Sequence, residues 1–203
     1  MNKASLIIPT YNRVYFIDRI LRKLTLQNNK NLKEIIIVDS DSLDGTSELI
    51  KKYQDDGLLN IIKLDTQNNI SRKRNSGIKE ASSECLIFID DDCVPNDGFI
   101  DAHINSCNKH GKVIHCGSVY FDGYLVDSSN YIRYRNSRHI PYLLDNIKMD
   151  YRSIVTMNMS VNKSELISNN LFFDEEFLGY GMEDNEFGFR ATKCDFTIQS
   201  SKF

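Results

Sequence analysis

An α/β protein built on one mostly parallel sheet with helices on both faces is the fold class that the sequence predicts, and three observations predict it. Four apolar runs rich in β-branched residues, Ser5–Ile8, Glu34–Val38, Leu59–Leu64 and Leu86–Ile89, are each followed by a stretch of helical period. Helix-capping residues fall between the runs and the periodic stretches, as parallel strands joined by crossover helices require. The fourth run passes directly into Asp90, Asp91 and Asp92, at the carboxyl end of a strand, where α/β sheets place ligands. A chain of 203 residues can bury one sizeable core but is short for two enzymatic domains, so residues 1–203 are expected to form a single domain.

In chain order, Asp44 or Thr46 is expected to cap a helix ending near Tyr53, Ser71 one ending near Ala81, and Asn96 or Asp97 a further one. After about Lys109 the rhythm changes. Strands are expected at Lys112–Tyr120 and Ile154–Val161, separated by a polar, tyrosine-rich stretch from Asp122 to Arg152. Glu183 to Lys193 reads as a helix with Phe187 and Ala191 on one face, and Phe196–Ile198 begins a last strand. With no repeat and no linker, residues 1–109 and 110–203 are expected to share one sheet.

Composition narrows the partners. Charged residues make up 26%, hydrophobic ones 41%, and the net charge is −3, which argues against disorder and against nucleic acid as the main partner. Cys85, Cys93, Cys107, Cys116 and Cys194 are odd in number and form no Cys-x-x-Cys pair, so neither a disulfide framework nor a zinc site is expected. No apolar run approaches bilayer length and no leader pattern opens the chain; the expectation is a soluble cytoplasmic protein, with peripheral contact to the inner face of a membrane left open.

Four motifs carry chemistry. Three adjacent carboxylates repel one another unless something gathers them, and a divalent cation takes hard oxygen ligands of this kind. Asp39 closes the second strand and suits a hydrogen bond from a base or ribose; the following Ser40-Asp41-Ser42-Leu43-Asp44-Gly45-Thr46 is not an EF-hand, because the glycine is seventh and Ile50 stands twelfth. Arg72, Lys73 and Arg74 crowd the first turns of a helix, where the helix dipole favours anions. The run is therefore either an exposed basic face or a diphosphate cradle, and Gly77 beyond it suits close packing on the sheet. Gly179 and Gly181 precede Glu183 and Asp184 at a helix start, which is either a plain acidic cap or a glycine-shaped turn presenting a general base. Tyr131 to His139 interleaves aromatics and cations and reads as an acceptor-side or merely solvated loop.

Together these blocks resemble the inverting family-two glycosyltransferases, which bind nucleotide sugars on the GT-A fold. The blocks are Leu6-Ile7-Ile8-Pro9-Thr10-Tyr11-Asn12-Arg13, Val38-Asp39-Ser40-Asp41-Ser42-Leu43-Asp44-Gly45-Thr46, Arg74-Asn75-Ser76-Gly77 and Ile89-Asp90-Asp91-Asp92, in that order. The block Gly179-Tyr180-Gly181-Met182-Glu183-Asp184 is similar to the acceptor segment of galactosyl-, N-acetylgalactosaminyl- and chondroitin-type transferases. The resemblance implies that Pro9, Thr10, Tyr11, Arg13, Asp39, Asp41, Arg74, Asp90 and Asp91 bind the donor, a UDP-sugar, with residues 1–109 as the donor half and 110–203 as the acceptor half. It implies Asp92, with Asp90, as the holder of Mn²⁺ or Mg²⁺. Asp184 would be the base, with Glu183 beside it, and Glu183, Asn158 and Gly181 would bind a glycan, lipid-linked or protein acceptor. Many relatives add a histidine ligand after the catalytic block, whereas His103, His110, His115 and His139 all precede it here.

The implied chemistry is consistent. A departing nucleoside diphosphate needs its charge neutralised rather than protonated, so one base suffices, unlike the carboxyl pair of glycoside hydrolysis. Two rivals stand beside it: a nucleotide-sugar-binding module without catalysis, and a sugar nucleotidyltransferase.

Overall fold

The computed structural model describes residues 3–108, 111–138, 147–179 and 181–201. One eight-stranded sheet spans both halves in the order β3-β2-β1-β4-β7-β5-β8-β6. Strands β1 (Ala4–Pro9), β2 (Leu32–Asp39), β3 (Ile61–Asp65) and β4 (Cys85–Ile89) pair in parallel and alternate with helices α1 (Val14–Leu26), α2 (Thr46–Asp56), α3 (Ile70–Glu80) and α4 (Phe99–Cys107). In the second half, β7 (Asn158–Asn162) runs antiparallel to both β4 and β5 (Val113–Cys116). Strand β8 (Thr197–Ser200) pairs in parallel with β5, and β6 (Lys148–Met149) closes the edge antiparallel to β8. The mostly parallel α/β sheet is as expected.

Period-two alternation sorts the strands into two cores. Leu6, Ile8, Ile35, Ile37, Ile87 and Ile89 pack with α1 and α4, whereas Ile7, Ile36, Val38, Leu86 and Phe88 pack with Ile78 of α3 and with Phe187 and Ala191 of α8 (Glu183–Lys193). Continued one residue past Ile89, the alternation delivers Asp90 to the α3/α8 face. Gly77 serves close approach, as expected: a Cβ there would lie 2.5 Å from Ile7 Cγ2.

Local boundaries depart from the sequence in instructive ways. Asn69, not Ser71, caps α3, its side chain accepting the Arg72 amide at 2.8 Å, because Asn69 is the residue with extended backbone while Ser71 is already helical. Gly98, in the left-handed region, starts α4, and Asp97 accepts instead from Lys23 and Gln27. Left-handed Gly45 precedes α2, and Asp44 accepts the Thr46 amide at 3.1 Å. The strand expected over 112–120 reduces to β5. The one expected from Ile154 starts only at Asn158, since the preceding residues turn, with the Asn158 amide donating to Val155 O.

The tyrosine-rich stretch carries two helices, α5 (Gly123–Ser128) and α6 (Asn130–Arg138), the second lying where a loop was expected from Tyr131, and α7 (Lys163–Ser168) follows β7. The expected division at residue 109 and His139, His110 and Tyr180 lie outside the described residues. All five cysteines are free, and no helix of the described residues is long and apolar enough to cross a membrane.

Candidate active site

The carboxyl ends of β1, β2 and β4 meet in a cradle whose loops are stitched together. The Asn12 amide donates to Ser42 Oγ (2.7 Å), the Leu43 amide to Asn12 Oδ1 (2.8 Å) and the Val14 amide to Asp44 Oδ2 (2.8 Å). Asn12 and Asp41 take left-handed backbone to make these turns, with φ of 51° and 54°. Pro9 and Thr10 are buried at the floor, while Tyr11 and Arg13 are exposed at the mouth and Asp41 on the loop. Asp39 is fully buried, and its Oδ1 accepts from the Ser40 amide (2.8 Å) and Ser42 Oγ (2.5 Å), so this carboxylate organises its own loop. Beside it Ser40 Oγ is buried without a hydrogen-bond partner among the described residues.

The three aspartates are unequal. Asp91 accepts from Thr10 Oγ1 at 2.8 Å and thereby ties β4 to β1. Asp90 turns toward α3, its carboxyl held above the usual range by burial against the pull of Arg74. Asp92 is exposed.

The basic run is not a solvated face. Lys73 and Arg74 are each only 3% exposed, so that reading is overturned for both. Lys73 Nζ donates to Thr10 O (2.7 Å) and Asn68 Oδ1 (2.9 Å), and burial lowers its pKa to about 8 although Asp39 and Asp91 oppose the shift. The sequence offered Lys73 only as one of three cations, without separating it from Arg72; the separating signal lay in helical period, which turns 73, 74, 77 and 78 toward the sheet together. Arg72 alone faces outward, bonded to Glu175 at 2.9 Å.

Arg74 is the hub. Its Nη1 donates to Glu183 Oε1 and to Asp184 Oδ1, both at 3.0 Å, and Nη2 lies 3.4 Å from Asp90 Oδ1. One guanidinium thus joins the end of β4, on the donor side, to the start of α8. Asp184 also accepts from Thr156 Oγ1, at 2.9 Å to Oδ1 and 3.0 Å to Oδ2. Burial pushes the Asp184 carboxyl up to about 6; Arg74 opposes this, and the neighbouring Glu183 and Asp90 charges reinforce it. Glu183 Oε2 is buried and has no hydrogen-bond partner among the described residues, an unsatisfied acceptor beside Asp184.

The turn that presents these acids runs through Gly181 (φ 95°) and Met182 (φ 75°), successive left-handed residues that aim the first turn of α8 back at Arg74. Gly181 thus acts through its backbone. Asn158 is not brought to this cluster: it lies opposite Ile89 on the α4 face, its Oδ1 2.8 Å from His103 Nε2 and its Nδ2 donating to Ser118 O. Residues 131–138 form surface helix α6, with Tyr131 and Tyr134 exposed, so the expected loop is a helix.

Among the described residues no group of three or more His, Cys, Asp or Glu side chains could by itself hold a metal ion. His103 and His115 are buried, and burial lowers the His103 pKa to about 4, so neither replaces a downstream ligand at Asp92. The carboxylates do suit Mg²⁺ or Mn²⁺. The pair Asp90 and Asp92 offers hard oxygens at a strand end, Asp92 is exposed, and such ions complete their shell with water and phosphate oxygens.

The sheet order, the parallel first half and the acid-bearing strand end define a GT-A glycosyltransferase fold. Structural neighbours agree. The Staphylococcus aureus TarS 1–349 structure in complex with UDP-GlcNAc superposes with a TM-score of 0.75 at 20% identity, over 98% of this chain and 58% of that one. A mannosyltransferase from Pyrobaculum calidifontis in complex with GDP-Man and Mn²⁺ gives 0.67 at 17% identity, over 99% and 57%. The chain belongs to glycosyl transferase family 2, whose profile matches residues 5–168. Among curated relatives, the uncharacterized glycosyltransferase YfnE of Bacillus subtilis is 23% identical over 97% of this chain and 62% of its own length. The poly(ribitol-phosphate) beta-N-acetylglucosaminyltransferase TarS of S. aureus is 34% identical over 51% of this chain and 20% of its own. The chain therefore spans less than two thirds of the length of either.

Proposed function

We propose that this domain transfers a sugar from a nucleotide sugar, a UDP-sugar by preference, to an acceptor hydroxyl with inversion at the anomeric carbon. One observation carries the reading: a carboxylate, Asp184, with a pKa raised to about 6, stands 3.0 Å from an arginine that also reaches the acidic end of β4. A base poised just below neutral pH is ionised at pH 7 yet basic enough to take a proton from an attacking hydroxyl. The UDP-GlcNAc and GDP-Man complexes of the structural neighbours support a nucleotide-sugar donor.

In this reading Pro9, Thr10, Tyr11 and Arg13 line the donor cleft, and Asp41 lies at its rim. Asp39 shapes the end that receives the base, and Asp90 lies nearer the ribose. Asp91 acts by fixing β4 to Thr10 rather than by touching the donor. Asp92, with Asp90, would hold Mg²⁺ or Mn²⁺, which when bound neutralises the diphosphate. Arg74 is better placed to balance the three acids than to grip phosphate. Glu183 Oε2 takes an acceptor hydroxyl, and Asp184 removes the proton of the attacking one. Asn158, on the other face, supports the strand and is not an acceptor contact.

The test is a thermal-shift screen of UDP, GDP, CMP and dTDP sugars with Mn²⁺, followed by detection of the freed nucleotide and of the glycosylated product. Stabilisation by a UDP-sugar and release of UDP are expected. No stabilisation by any nucleotide sugar would overturn the donor assignment, and release of pyrophosphate would favour a nucleotidyltransferase.

A further inference from the structure

We propose that Thr156 is a positioning residue for the base Asp184: its hydroxyl fixes the plane of the carboxylate beside Arg74. This inference rests on the reading of Asp184 as the base. Thr156 is 1% exposed and its hydroxyl is taken up by Asp184, so its effect on the reaction passes through that neighbour. Its hydroxyl spans both carboxylate oxygens, 2.9 and 3.0 Å away, and its amide lies 3.4 Å from Oδ2.

Arg74 engages Oδ1, so among the described residues Oδ2 carries only the Thr156 contacts. A carboxylate held by a guanidinium on one oxygen alone can still swing about that contact; the second contact from Thr156 stops the swing. The β-branched side chain, itself stiff about χ1, makes a firm donor. Backbone position matters as well. Thr156 precedes β7, which pairs with β4, so the same turn that ends beside the aspartates also orients the base.

The groups facing Asp184 are Arg74 from α3, Asp90 from the end of β4, Glu183 on its own helix and the buried Cys116 thiol of β5. Of these only Arg74 shares with Thr156 the effect of favouring the ionised carboxylate. Deleting the hydroxyl therefore destabilises the anion, and the Asp184 midpoint moves up. Thr156→Val keeps the shape of the side chain, and Thr156→Ser keeps the hydroxyl.

The experiment has two readouts. In protein carrying carboxyl-¹³C aspartate, with the Asp184 signal assigned by its loss in Asp184→Asn, Thr156→Val should raise the Asp184 midpoint by about half a unit or more, and Thr156→Ser should restore it. With UDP-GlcNAc, UDP-glucose and UDP-galactose as donors and water or nitrophenyl glycosides as acceptors, Thr156→Val should lower kcat about tenfold, leave the donor KM unchanged and move the acid limb of the pH profile upward. Thr156→Ser should recover most of the rate. An unmoved midpoint in Thr156→Val, or a Thr156→Ser variant no better than Thr156→Val, would overturn the proposal. Full turnover by Asp184→Asn would instead overturn the assignment of the base, which separates the two failures.

Discussion

From Ala4 to Cys107 every strand is followed by a single helix of nine residues or more, whereas from Val113 onward the strands have only two to five residues and no longer alternate one for one with helices. The first region places its functional groups through regular geometry. Parallel strands end together, so Thr10, Asp39 and Asp90 arrive at one edge without needing partners to put them there. The second region places Asp184 and Glu183 through specific contacts: the left-handed Gly181-Met182 turn, the Thr156 hydroxyl and the Arg74 guanidinium. Regular geometry is robust and readable, while contact-built geometry is more fragile and depends on the other half of the molecule.

Breaking the link between the regions should have the largest effect. Arg74→Met leaves Glu183, Asp184 and Asp90 without their shared cation, and stripping one partner from a buried charge cluster typically costs about 3–5 kcal/mol. Urea unfolding at pH 8 should show this loss. At pH 5 the loss should shrink, because the raised pKa values of Asp184 and Asp90 let them take up protons. An equal loss at both pH values would mean that packing, not charge, dominates.

A defect confined to the first region should cost less and ignore pH. Gly77→Ala drives a Cβ to 2.5 Å from a branched, fully buried side chain, Ile7, and should destabilise by about 1–3 kcal/mol. A double-mutant cycle with Ile7→Ala should show coupling between the two sites, and strict additivity would refute the steric account. Asn69→Ala lies between these cases, since it removes the α3 cap, worth about 1 kcal/mol, and also the bonds from Nδ2 to Glu175 O and Phe177 O.

The pH dependence of the base has a definite sign. A carboxyl whose pKa is about 6 in the folded state, above the ordinary aspartate value of 3.8, holds its proton more tightly when folded; this favours folding at low pH, and the advantage is lost as pH rises through about 6. Asp184→Asn has no such loss, so its melting temperature relative to the native protein should climb between pH 4 and pH 7. A constant difference would contradict the raised pKa. At the smallest end, Arg22→Ala removes an exposed i,i+4 pair with Asp18 and should change stability by less than about 0.5 kcal/mol.

What could be read from the sequence follows the same division. Strands β1 to β4 were legible because buried parallel strands are continuous β-branched runs, and Asp39 and the Asp90–Asp92 group stood out as acids closing such runs, although the loop held by Asp39 and the Asp91–Thr10 tie were not legible. The inward turn of Lys73 and Arg74 was obscured because three adjacent cations look alike in sequence while helical geometry separates Arg72 from the other two. Thr156 lay inside an expected strand, and only the tertiary approach of α8 shows that its hydroxyl meets a carboxylate. The helices of residues 123–138 carry few buried apolar residues, so periodicity had nothing to report there.

The most direct measurement compares sugar transfer and donor binding in Asp184→Asn and the native protein, at pH 7.5 with Mn²⁺ and whichever UDP-sugar gives the largest thermal shift. The account predicts that nucleotide-sugar stabilisation survives and that transfer falls by about 10²–10⁴-fold, the range expected for losing a general base. Transfer at the native rate, with binding intact, would contradict it.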